Sequence, residues 1–154
     1  MTTFLQQTLN ALQLGSIYAL IALGYTMVYG ILTMINFAHG DLFMIGAFFC
    51  FLGATFLNLP FIPSLLLSMV GVAMLGVTIE RVAYRPLRSA PRVSAIITAL
   101  GVGIFLENFT LVFFPYPQSV PTLLKTVIWN IGGVTISNLQ ILIIVVAILM
   151  MIML

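Results

Sequence analysis

Ile35-Asn36-Phe37-Ala38-His39-Gly40-Asp41 is a polar break between two long apolar runs. It holds the only histidine and the only aspartate of the chain, and no other residue among the first 79 is charged. The run before it extends from about Leu12 to Met34. The run after it extends from about Leu42 to Leu59 and is closed by Pro60. Roughly 20 predominantly apolar residues cross the hydrocarbon of a bilayer as a helix. An ionisable turn between two such runs is costly beside lipid, so it faces protein, a water-lined path or the membrane surface.

The composition supports the same reading. The chain of 154 residues is 62% hydrophobic and 5% charged, whereas a soluble domain carries about 25% charged residues. Five basic and three acidic side chains cannot cover the surface of a water-soluble fold of this length. The net charge of +2 is too small to argue for nucleic acid. Cys50 is the single cysteine and lies in an apolar run, so it reads as a small packing residue and no internal disulfide can form. Residues Met1 to Gln13 contain no Lys or Arg and no small-residue cleavage site, which argues against a secretory signal and for a first run that stays in the membrane.

Further apolar runs extend from about Phe61 to Ile79, Val93 to Phe114 and Leu139 to Leu154. The predicted fold is all-α: a polytopic transmembrane helix bundle of about five spans, near 12–34, 42–59, 61–79, 93–114 and 139–154. Arg81, Arg85, Arg88 and Arg92 all lie between the third and fourth spans. The excess of basic residues assigns that loop, 80–92, to the cytoplasm. Counting outward puts the Pro60 turn and residues 115–138 outside, and the heptapeptide at the inner face unless it is a re-entrant break. Pro115, Pro117 and Pro121 exclude a regular helix in the outer segment. Two short β-type runs around Gly132-Gly133, within Thr126 to Ser137, suit either a small extracytoplasmic hairpin with Trp129 near the membrane surface, which is the expectation carried forward, or a plain loop anchored there by the tryptophan. The fifth run has about 16 residues and no interfacial anchor at its far end, short of a full span. The chain is therefore read as the N-terminal part of one longer or split transmembrane domain.

Helices in lipid associate through small residues that let backbones approach. Gly15 and Ala19 on the first span, with Gly30 further along it, form such a row, and Gly46 begins another on the second. On the fourth, Ala95, Ala99 and Gly103 form a ridge with Glu107 next in line. A carboxylate there calls for a partner helix, water or the interface.

The heptapeptide admits two readings. Asp41 can cap the following helix, Gly40 allows a sharp turn, Asn36 can satisfy the end of the preceding helix, and His39 is of the side-chain type that ordinarily titrates near neutral pH unless its surroundings shift it. Those roles suffice for a capped, self-satisfied turn. The same residues also suit a broken helix lining a substrate path, where freed backbone groups meet a zwitterion. Asn36, His39 and Asp41, with Glu107, are the candidate path or gating residues. The four arginines, spaced 4, 3 and 4, would share one face of a regular helix. They read as a topology determinant at anionic headgroups or as a docking surface for a cytoplasmic partner. No catalytic set, phosphate-binding glycine loop or metal-ligand cluster is visible, and Gly101-x-Gly103 lies inside an apolar span.

Three blocks together carry a resemblance. Gly15-Ser16-Ile17-Tyr18-Ala19-Leu20-Ile21-Ala22-Leu23-Gly24-Tyr25-Thr26-Met27-Val28-Tyr29-Gly30 leads into Ile35–Asp41, and Glu80-Arg81-Val82-Ala83-Tyr84-Arg85-Pro86-Leu87-Arg88 follows. In this order they resemble the inner-membrane permease of branched-chain amino acid ABC transporters. The resemblance implies a bacterial plasma-membrane, multi-pass subunit that pairs with a second, related permease subunit. It further implies two cytoplasmic ATPase subunits that bind the ATP, a periplasmic binding protein that delivers substrate, and transport by alternating access. The permease itself would be no enzyme and hold no cofactor. Members of the family are nearly twice this length and carry an ATPase-coupling segment after the fifth span, which this chain does not reach. A urea or short-chain amide permease of the same wider family, and a non-transporting membrane scaffold, are the alternatives.

Overall fold

The computed structural model describes residues 2–32, 36–119 and 123–153. Among the described residues the regular elements are helices apart from one small sheet: α1 (Thr2–Leu32), α2 (His39–Thr55), α3 (Phe61–Ile79), α4 (Arg92–Phe113), β1 (Ile128–Ile131), β2 (Val134–Ser137) and α5 (Asn138–Met153). Among the described residues three helical stretches are long and apolar enough to cross a membrane: Thr2–Ile31, Phe61–Leu87 and Val93–Phe113. The helices α2 and α5 are shorter, with 17 and 16 residues. The all-α membrane fold with a single hairpin is the one the sequence predicts. The chain divides into two compact units, one formed by residues 1–27 with 124–154 and the other by residues 28–123.

In the first unit α1 begins ten residues before the apolar run, because Gln6, Gln7 and Asn10 continue the helix as a polar first stretch. At 1.5 Å per residue a helix of 31 residues is about 46 Å long and overshoots a hydrocarbon layer of about 30 Å. Gly132 and Gly133, with φ of 59° and 84°, make the two-residue turn that joins β1 to β2. Both central residues of such a primed turn need positive φ, which glycine adopts without strain. Antiparallel pairing runs from Ile131↔Val134 to Ile128↔Ser137.

Gln6 of α1 holds the outer edge of β2. Its Oε1 accepts the Thr135 N–H at 2.8 Å and the Thr135 hydroxyl at 3.0 Å, and its Nε2 donates to the Thr135 carbonyl at 3.0 Å. Ser137 and Gln140 then form a reciprocal cap on α5. The Gln140 N–H donates to Ser137 Oγ at 3.1 Å and the Ser137 N–H to Gln140 Oε1 at 3.0 Å. Asn138 ties the approach to β1, accepting the Val127 N–H at 3.1 Å and donating to the Lys125 carbonyl at 2.8 Å. Ser137→Ala is expected to destabilise this unit by about 1 kcal/mol, read as a lower melting temperature of the detergent-solubilised chain.

In the second unit α2 and α3 pack antiparallel through small residues. Ser68 Oγ donates to the Gly46 carbonyl at 2.6 Å. A Cβ added at Gly53 would lie 3.2 Å from Leu67 Cδ2 and 3.3 Å from Ser64 Oγ, and one added at Gly71 would lie 2.8 Å from the Phe49 ring. Phe48 and Phe51 of α2 meet Phe114 at the end of α4, with ring centroids 4.9 and 6.1 Å apart. Asn58, at φ 50°, reverses the chain after α2, and Pro60 supplies the N-cap position of α3.

The segment after Ile79, read from sequence as a loop, is instead a helical extension of α3. A π-helical turn (Glu80–Tyr84) is followed by a 3-10 turn (Arg85–Leu87). Pro86 explains the change. It lacks an N–H, and its ring clashes with the carbonyl four residues back in a regular α-helix. A wider turn followed by a tighter one accommodates it.

Candidate functional site at the break before α2

The start of α2 is organised by Asn36. Its Oδ1 accepts the Ala38 N–H at 3.1 Å and the Tyr84 hydroxyl at 2.7 Å, while its carbonyl accepts the His39 N–H at 3.2 Å. Asparagine closes a turn this way because its side-chain oxygen reaches the backbone N–H two residues on. Asn36 and Ala38 are buried, and His39 is the half-buried first residue of α2.

Asp41 is not the cap that its sequence position suggested. Ala38 occupies the N-cap position and has no side-chain hydrogen bond to give α2. Asp41 lies within the first helical turn, where its negative charge complements the positive end of the helix dipole. Asn36 takes over the turn from outside the helix, which frees the carboxylate to point toward α4.

There it meets Gly103. A Cβ built at Gly103 would collide with Asp41 Oδ2 and lie 3.9 Å from Ala38 Cα. The ridge leading to this contact is closely packed, with Ala95 and Ala99 buried to 7% and 1% exposure. Glu107, one turn beyond Gly103, is exposed. Phe37, Asp41, Leu100, Gly103, Ile104 and Glu107 line an open cleft of about 170 Å³. Two carboxylates and an apolar wall thus face one small space.

The depth of this cleft follows from the same contacts. Gly103 lies midway along α4 (Arg92–Phe113), about 16 Å from its basic end at 1.5 Å per residue. Asp41, on the first turn of α2, is level with it. Two helices that cross a bilayer side by side normally begin at similar depths, but α2 starts half a span late. With its 17 residues it measures about 25 Å, less than the hydrocarbon thickness of about 30 Å. With α4 across the bilayer, Asp41 sits beside the middle of that span, while Asn36, bonded to Tyr84, lies toward the arginine-bearing end. Irregular backbone is tolerated at membrane depth only where protein buries it or a water-filled cavity borders it.

The remaining candidate residues lie elsewhere. Arg81 and Arg85 are exposed, Arg88 pairs with Glu80 at 2.6 Å, and Arg92 opens α4. Because Arg81 lies in a π turn and Arg85 in a 3-10 turn, the 4-3-4 spacing no longer implies one common face. An exposed pair such as Arg88–Glu80 contributes little to stability. Gly46 sits against Ser68 and Val72, whereas a Cβ at Gly15 or Gly30 would meet open space, and Ala19 is half-buried. Among the described residues no three His, Cys, Asp or Glu side chains come together as metal ligands. Sequence reasoning left Tyr84 out of the site. Its signal was slight: one aromatic residue among arginines, whose hydroxyl is buried on Asn36, 48 positions away.

The whole chain but its first six residues matches a family described as "Branched-chain amino acid transport system / permease component", over residues 7–154. The chain belongs to this permease family. It is 45% identical to the high-affinity branched-chain amino acid transport system permease protein BraD of Pseudomonas aeruginosa, over 96% of the chain and 52% of BraD. It is 50% identical to the corresponding protein LivH of Escherichia coli K12 and 49% identical to LivH of Salmonella typhimurium, in each case over 69% of the chain and 37% of the relative. The chain thus spans about half the length of BraD. No solved structure matches it. As a permease-family member with several apolar helices it is a multi-pass membrane transport component.

Proposed function

We propose that the break before α2 and the cleft beside it form part of the translocation path of an ABC importer for branched-chain amino acids. The observation that carries this reading is the position of a polar turn, with Asp41 and Glu107 on one cleft, halfway along an apolar helix. The chemistry suits a zwitterion with an apolar side chain. The N-terminal N–H groups of α2 and their dipole favour a carboxylate, as at other helix starts in membranes. Asp41 and Glu107 favour an ammonium group. Phe37, Leu100 and Ile104 offer an apolar wall to a branched side chain. Asn36 and His39 shape the entry to α2. Urea and short-chain amides carry neither charge, so they would meet the two carboxylates only as neutral N–H donors and not as an ammonium ion.

In this reading the chain works in the bacterial inner membrane beside a second, related permease subunit. A periplasmic binding protein delivers the amino acid, and two cytoplasmic ATPases, which bind the ATP, rock the permease pair between outward and inward openings. The arginine-rich segment from Arg81 to Arg92 faces the cytoplasm and anionic headgroups.

The test is uptake of labelled leucine into vesicles containing this assembly, with the chain used alone and joined to the remaining half of a full-length relative. Uptake that requires ATP and binding protein, and that isoleucine and valine compete away, is expected. Competition by urea or acetamide instead would move the assignment to the amide permeases. A chain that reaches the membrane and supports no uptake in either form would leave a scaffold.

A further inference from the structure

We infer that Tyr84 is a positioning residue for the cleft, acting through Asn36 to hold the first turn of α2 and the Asp41 carboxylate in place. The inference rests on the transport-path reading of that cleft and names a residue that the reading does not otherwise use.

Three observations converge on Tyr84. Its ring is buried to 7% exposure although its neighbours Arg81, Val82 and Arg85 are exposed. Its hydroxyl donates to Asn36 Oδ1 at 2.7 Å, on the same oxygen that closes the turn onto Ala38. It ends the π-helical turn, a departure from regular helix that is frequent at functional sites.

The chain of effect is short. A carbonyl oxygen has two lone-pair directions, and Asn36 uses one for Ala38 N–H and the other for Tyr84. Removing the hydroxyl leaves a buried acceptor short of a partner and loosens the side chain that sets the turn. Ala38, fully buried, and Asp41, against Gly103, follow that turn directly. Tyr84 in turn stands next to Arg85 and Pro86 in the basic segment. It therefore links that segment to the turn that carries Asp41 into the cleft. A displacement of the π turn would be transmitted to Asp41 through two hydrogen bonds and one helical turn.

The experiment uses the 154-residue chain in vesicles, with Cys50→Ala and a single reporter cysteine introduced by Phe37→Cys. The rate of reaction with a hydrophilic maleimide reports how open the turn is. Tyr84→Phe keeps the ring and removes only the hydroxyl, so its folding can be checked by an unchanged elution profile and membrane abundance. Loss of one buried hydrogen bond predicts labelling about tenfold faster. Asn36→Ala also removes the acceptor of the Ala38 N–H and is expected to accelerate labelling at least as much, and the double variant no more than Asn36→Ala alone, because without Asn36 the Tyr84 hydroxyl has no bond to this turn left to lose. An unchanged rate in Tyr84→Phe, or effects that multiply in the double variant, would overturn the inference. Leucine uptake by the full assembly separates the two claims. Faster labelling with wild-type uptake would defeat the positioning role and leave the permease path intact. Absence of uptake in the unsubstituted assembly would defeat the path and, with it, the role.

Discussion

Gly103→Val is expected to abolish uptake while leaving the chain in the membrane. Asp41 Oδ2 occupies the position that the new Cβ would need. The side chain cannot be absorbed on the other side, because Ala38 stands against the same point and is fully buried. Overpacking of this kind costs about 1–3 kcal/mol, and here the group that can yield is the Asp41 carboxylate. Displacing it from the cleft predicts a fall in leucine uptake of at least about tenfold, with ATP-dependent uptake as the measurement and immunoblotting of membranes as the control. Gly101→Val provides the comparison. It lies two residues away on α4, where a Cβ meets open space, and should transport normally. Equal uptake by the two variants would exclude the Gly103–Asp41 contact from the path.

Asp41→Asn removes charge and keeps shape, so it separates the path role from the structural one. As an acid in the first turn of α2, Asp41 contributes about 0.3–1 kcal/mol through the helix dipole. The expected loss of stability is therefore small. A hydrogen bond from a charged group contributes about 1.5–3 kcal/mol, so losing an ammonium contact predicts uptake lower by roughly ten- to a hundredfold. Glu107→Gln should follow the same direction with a smaller effect, because that carboxylate is exposed to solvent screening. Normal uptake by Asp41→Asn, with a slightly lower melting temperature, would reduce the residue to a dipole partner.

The two variants probe what the sequence left open. Asp41 before an apolar run looked like a helix cap, because an acidic residue at a helix start satisfies orphan N–H groups in the simplest geometry. Asn36 does the comparable work three residues before the helix, using a turn whose closure depends on Tyr84. Local pattern cannot reveal that exchange, since the deciding hydrogen bond joins positions 48 residues apart. The same holds for the basic segment. Four arginines and two prolines predicted a bent interfacial loop, yet the chain stays helical through Leu87 by switching helix type.

The sequence alone determined the class of protein and most of its elements. Long apolar runs allow only helices in a bilayer, because every backbone polar group must be satisfied within its own segment. Gly132-Gly133 between β-branched and aromatic residues leaves a primed hairpin turn as the local solution. The three motif blocks brought the family within reach, and the match over residues 7–154 established it. Only the tertiary structure decided where the polar break lies. Hydropathy reports how long a run is but not its depth relative to a neighbouring helix. That depth comes from α2 meeting α4 at Gly103, where the absence of a side chain lets the Asp41 carboxylate enter halfway along the span.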